Sequence, residues 1–166
     1  MKYIKVFIFT IIIIFSFCSC SCSQHSNDFD SKKNTFNINK DSFDKLNQYF
    51  LEQFSYIDNN ELNFAFSVSK ETGKIEKLYS SYSQEYIYLD KEIIELLNNI
   101  RNLFDYDFSI VSITSTRISY GGEGNEMYVY SLDGNKPKYF WEDNKAASFT
   151  IYTLDENWYY LFLKQR

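Results

Sequence analysis

Three cysteines lie within five residues of one another, Cys18, Cys20 and Cys22 in the segment FCSCSCS, and the 144 residues after Cys22 hold none. A disulfide among them would close a C-x-C or C-x₃-C loop with no distant partner, so it would cross-link nothing worth constraining. A metal centre needs a second ligand pair, and His25 is the chain's one histidine. Thiol or imidazole catalysis is equally short of parts, because no cysteine follows Cys22 and no histidine follows His25. Ser67-Val68-Ser69-Lys70 spells S-x-x-K, but that chemistry requires serine and lysine one helical turn apart. Here the pair lies in an alternating segment, where positions i and i+3 point to opposite faces. The carboxylate pairs Asp105/Asp107, Glu123/Glu126 and Glu142/Asp143 all fall in expected turns, where acids serve solubility. Gly121, Gly122 and Gly124 form no phosphate loop, because a strand and not a Lys-Ser/Thr helix follows. No cofactor, metal site or catalytic residue is expected.

The segment before the cysteines gives them a different chemistry. Lys2 and Lys5 precede Val6 to Phe17, which carries no charge. That run is shorter than the roughly 20 residues that span a bilayer, and it has the length of a secretory apolar core, about 7–15 residues. It ends in cysteine after a small residue. The pattern resembles the lipobox of bacterial lipoproteins, over residues 1–22 only. The resemblance implies cleavage before Cys20, which follows Ser19 and has apolar Phe17 three places ahead, and a diacylglycerol thioether on that cysteine. Phe17 stands where the family usually has leucine, and Cys18 where it usually has a small residue. Cys22, behind Ser21, is the alternative. Two acyl chains make a lasting anchor where one gives only marginal binding. Residues 1–19 are therefore expected to be a signal peptide. Residues 20–40 would be a lipidated N-terminus and polar tether, and residues 41–166 one folded domain. The expected location is the cell membrane, facing outside the cytoplasm.

Loss of residues 1–19 removes Lys2 and Lys5 and no acid, leaving 15 basic and 22 acidic residues, a formal charge of −7. That balance argues against nucleic acid as a partner and against docking on anionic lipid by charge. With 15 Tyr and 16 Phe, the chain has ample material for a core.

Residues 41–57 place Phe43, Leu46, Phe50, Phe54 and Ile57 on one helical stripe, with Asp41 or Ser42 as the cap. Leu62, Phe64, Phe66 and Val68 alternate as in a strand, KETGK turns, and IEKLYSSYS returns; EYIYL can add a short further strand, uncounted in the order given below. Asp90 is expected to cap a second helix whose Ile93, Leu96, Leu97, Ile100, Leu103 and Phe104 share a face. Then come FSIVSITSTRISY, with a bulge expected near Thr114–Ser115, and EMYVY, PKYFW, ASFTIY and WYYLFL. WYYLFL is apolar on both faces, as a doubly covered strand would be. The expected fold is α+β, order α-β-β-α-β-β-β-β-β, an antiparallel sheet, flat or curled, packed by two amphipathic helices on one face. Cystatin-like and nuclear-transport-factor-like domains share that element order, an analogy of fold alone.

The function expected on these grounds is a lipid-anchored, non-enzymatic binding module for another protein or a surface polymer. The alternatives are an immunity or inhibitor lipoprotein, and a small ligand-binding or hydrolase domain using carboxylates. The expected contact element is the hairpin Arg117 to Tyr130, with Tyr120, Tyr128 and Tyr130 on its arms. If Tyr128 is a contact, its loss to alanine weakens binding by about 2 kcal/mol or more without a matching loss of stability.

Overall fold

The structure, a computed structural model, describes residues 20–54, 61–104, 108–122, 126–137 and 147–165. Helix α1 spans Cys20–Phe54, and α2 spans Lys91–Arg101. The strands are β1 Leu62–Val68, β2 Ile75–Ser80, β3 Glu85–Tyr88, β4 Phe108–Ile113, β5 Arg117–Gly122, β6 Glu126–Ser131, β7 Ala147–Asp155 and β8 Trp158–Gln165. All eight form one open sheet in the order β3-β2-β1-β4-β5-β6-β8-β7, and every described pairing is antiparallel. The fold is α+β, as the alternating patterns imply. Among the described residues no helix is long and apolar enough to cross a membrane.

The chain divides into two compact units, residues 1–38 and residues 39–166. Of the first, the described part is helical. Residues expected to form a polar tether are the first turns of α1, and Asp41 and Ser42 lie inside the helix instead of capping it. The physical signal for that extension is a seven-residue spacing: Phe29, Phe36, Phe43 and Phe50 recur every two turns, which keeps them near one helical face. The expected signal peptide, residues 1–19, and Ile57 lie outside the described residues.

In the second unit both helices lie on one face of the sheet. From α1, the Phe43 ring sits 5.2 Å from Tyr120, 5.4 Å from Tyr128 and 5.1 Å from Trp158, centre to centre. One turn pair later, Phe50 and Phe54 lie 5.8 and 4.7 Å from Phe64. Helix α2 buries Leu97 and Ile100. Beyond its end, Phe104 stacks on Phe108 at 4.7 Å and meets Tyr128 edge-on at 5.3 Å. Asn98 fixes α2 to the sheet: its Oδ1 accepts from the Ile75 amide at 2.9 Å and its Nδ2 donates to the Ile94 carbonyl at 2.8 Å. Asp90 occupies the N-cap position with extended backbone, but its side chain makes no cap hydrogen bond. Its carboxylate favours the helix start through the macrodipole alone.

Strand β8 is covered on both sides, as its unbroken apolar run implies. Trp158 and Tyr160 face the helices, while Tyr159 and Leu161 join Val129 in a buried cluster on the opposite side. FSIVSITSTRISY is two strands, not one with a bulge. The chain reverses at residues 114–116, where the Thr114 amide donates to the Arg117 carbonyl at 2.9 Å and Thr114 Oγ1 accepts from the Arg117 amide at 3.1 Å. The switch of apolar side at Thr114 is thus a change of strand, and the register shift falls between Phe108 and Ile110. The segment EYIYL does form an edge strand, β3. Of PKYFW, residues 138–141 lie outside the described residues. The Asp133-Gly134 turn needs its glycine, whose φ is +73°.

Candidate functional site

The tyrosines expected to meet a partner are divided by burial. Tyr120 and Tyr128 are directly opposed in the β5–β6 ladder and both are 0% exposed. They are core: the Phe43 ring of α1 packs against both, and the Phe104 ring, just beyond the end of α2, packs against Tyr128. The expectation that they form a contact surface is therefore corrected. Gly121 serves the same hairpin internally: a Cβ there would come within 3.0 Å of Met127 Cγ. Residues 123–125, the hairpin tip, lie outside the described residues. Glu126, expected in a turn, opens β6 as a buried carboxylate that accepts a 2.8 Å hydrogen bond from the Tyr160 hydroxyl. Asp105, Asp107, Glu123, Glu142 and Asp143 lie outside the described residues. Ser67 and Lys70 fall on a strand and the turn after it, so they are not presented together on a helix.

Among the described residues the tyrosines that face solvent are Tyr82, Tyr86 and Tyr88, on and beside edge strand β3, and Tyr88 is 80% exposed. Lys77 Nζ lies 4.0 Å from the centre of the Tyr86 ring, a cation–π contact. The signal for this patch was the alternation Tyr86-Ile87-Tyr88, which puts both rings on one face of a strand.

Tyr130 is half-buried, and it borders a groove of about 510 Å³ in the second unit. One wall is a polar flank of α1, formed by Lys40, Asp44, Asn47, Gln48, Leu51 and Glu52 at helical spacing beside the apolar stripe. The other wall is Tyr130 with the β7–β8 turn, Asp155 to Trp158. Lys40 and Asp155 form an ion pair across the groove mouth. The hydrogen bond that Lys40 donates to the Asp155 carboxylate raises the Lys40 pKa above the usual lysine value, against a partial desolvation. Trp158 Nε1 donates to Asp44 Oδ1 at 3.3 Å, and Gln48 Nε2 donates to Glu52 Oε1 at 2.8 Å.

Asn47 is the buried polar group of this groove, 4% exposed. The Tyr120 hydroxyl donates to its Oδ1 at 2.8 Å. Burial, and then the charge of Asp44, push the Tyr120 phenol well above its ordinary pKa, so it stays a protonated donor. Among the described residues Asn47 Nδ2 has no hydrogen-bond partner. Tyr120→Phe leaves the buried Oδ1 without its donor and is expected to cost about 1–3 kcal/mol in urea unfolding. Tyr130→Phe, at the half-buried groove rim, is expected to stay within about 0.5 kcal/mol of the native protein. Equal losses in the two variants would contradict the assignment of Asn47 to the core network.

The lining of the groove is largely polar and charged. No histidine or cysteine lines it. Among the described residues no three His, Cys, Asp or Glu side chains gather as a metal site requires. Its carboxylates Asp44, Glu52 and Glu156 are exposed, and Lys40 is the one cation among its described lining residues. No family model matches the chain, and neither the curated proteins nor the solved structures yield a match.

Proposed function

We propose that the chain is a lipid-anchored protein of the bacterial cell envelope whose folded domain is a non-enzymatic binding module, with the groove between α1 and the β7–β8 turn as its ligand site. The observation that carries the anchor is Ser19-Cys20 at the end of a short apolar segment behind Lys2 and Lys5. The groove supports the binding half: a concavity of about 510 Å³ is of ligand-site size. The carboxylates of the groove are exposed, which suits recognition more than proton transfer.

Expression in a bacterial host from the chain's own start, followed by membrane fractionation, tests the anchor. The native protein and Cys18→Ala should sediment with membranes. Cys20→Ala should leave an uncleaved precursor or a soluble product. A Cys20→Ala protein that is still processed and still membrane-bound contradicts the reading at that residue. Loss of processing in Cys22→Ala alone would place the lipid on Cys22 and overturn the choice of Cys20.

A further inference from the structure

On the face of the sheet turned away from the helices, a lysine without a carboxylate partner stands among open tyrosine rings. Strand pairing sets its neighbours. Lys77 lies opposite Tyr88 of β3 and Ser67 of β1, while Tyr79 lies opposite Tyr86 and Ala65. Residues paired across a ladder share a face, and Leu78, between Lys77 and Tyr79, is buried on the helix side. Lys77 Nζ sits 4.0 Å from the centre of the Tyr86 ring and 6.0 Å from that of Tyr88. Tyr86 in turn meets Tyr79 edge-on at 5.4 Å. Lys77 is half-buried, and among the described residues no carboxylate pairs with it. Glu76 and Glu85, on the same two strands, alternate to the other face.

The cation and the rings point to the two halves of one ligand. The ammonium is held by the rings before anything binds, so a partner anion meets a pre-placed charge. The exposed rings offer flat apolar area with a hydroxyl at the tip. We infer that this face is a second binding site, separate from the groove, and that it takes an acidic glycan. A sugar ring would lay its C–H face on Tyr88 and place its carboxylate on Lys77. Such a sugar carries a flat face and a charge at a short fixed separation, as the Tyr88 ring and the Lys77 ammonium do. A neutral sugar would use the rings and leave the cation unanswered. An aspartate or glutamate side chain brings the charge on a flexible stem, with no flat face to stack. Ala65 and Ser67, small side chains beside Tyr79 and Lys77, leave room for a broad polymer to continue across β1. The chain's net charge of −5 repels anions at long range, so recognition depends on these local contacts.

The test uses the full chain in nonionic detergent and fluorescence anisotropy of an end-labelled hexamer of galacturonic acid. The comparison probes are the methyl ester of that hexamer, which has the same rings without the charge, and a labelled hexaglutamate. The acid hexamer should bind the native chain more tightly than either. Lys77→Gln should weaken the acid hexamer by about tenfold and leave the ester within about twofold. Lys77→Arg, which keeps the charge and stacks on aromatic rings, should restore binding to within about threefold of native. Tyr88→Ala, at an exposed ring, should weaken acid and ester alike by about threefold to tenfold. Lys91→Gln removes an exposed lysine of α2 and Lys40→Gln one of the groove, and both should stay within about twofold. Equal weakening by Lys77→Gln and Lys91→Gln would reduce the effect to net charge and overturn the inference. So would an ester that binds as tightly as the acid, or no binding of the acid hexamer to the native chain. Hexaglutamate that binds more tightly and is lost in Lys77→Gln would make this face a protein-binding surface and overturn the glycan. Loss in Lys40→Gln alone would place the sugar in the groove and overturn this second site while supporting the first. None of these outcomes bears on the lipid at Cys20, which is read separately.

Discussion

Phe43→Ala is expected to remove about 3–5 kcal/mol of folding stability, the range found for truncating a fully buried phenylalanine. The Phe43 ring is 0% exposed and touches aromatic rings from three strands, Tyr120 of β5, Tyr128 of β6 and Trp158 of β8. Its loss takes away the transfer free energy of the side chain and leaves a cavity that three large, rigid rings cannot easily close. Native stability is commonly only about 5–15 kcal/mol, so this one change would use a large share of it. Urea unfolding of the full chain measures the effect. A loss below about 1 kcal/mol would mean that α1 does not cover this face in solution.

Tyr128→Ala is expected to fall in the same range, about 3–5 kcal/mol, by the same cavity mechanism. Tyr128 is 0% exposed and lies between the Phe43, Phe104 and Tyr160 rings. The change should lower the melting temperature sharply, and any loss of binding should follow the loss of fold. Weakened ligand binding in a variant of unchanged stability would restore Tyr128 to the contact surface and contradict the packing described above.

Those two residues show how far the sequence could be read. Alternation along EMYVY correctly puts Tyr128 and Tyr130 on one face, but it does not say which face a helix covers. That is decided by Phe43, 85 positions earlier, through packing that no local window contains. Helix α2 was legible because its apolar residues recur at helical spacing behind Asp90 and its partners lie close in sequence. The extension of α1 back to Cys20 was hidden because Ser, Asn, Asp and Lys dominate those residues, and one phenylalanine every seventh position is a thin stripe. The change of apolar side near Thr114 was visible, but a bulge and a tight turn produce the same pattern. The groove was the least legible feature. Lys40, Asp44, Asn47, Gln48 and Glu52 read as a solvated helix flank until Asp155, Glu156 and Trp158 arrive from the other end of the chain to form the second wall. One local clue existed: Asn47 stands between Leu46 and Phe50 on the helix, at the edge of an apolar stripe where an amide needs a partner.

The central claim, an anchored module held at the outer face of the membrane, is tested most directly at its first mature residue. Mass spectrometry of the N-terminal peptide of protein purified from bacterial membranes should show a chain that begins at Cys20 with a diacylglycerol thioether on its Sγ. A mature chain that begins elsewhere, or a Cys20 with an unmodified thiol, would contradict it.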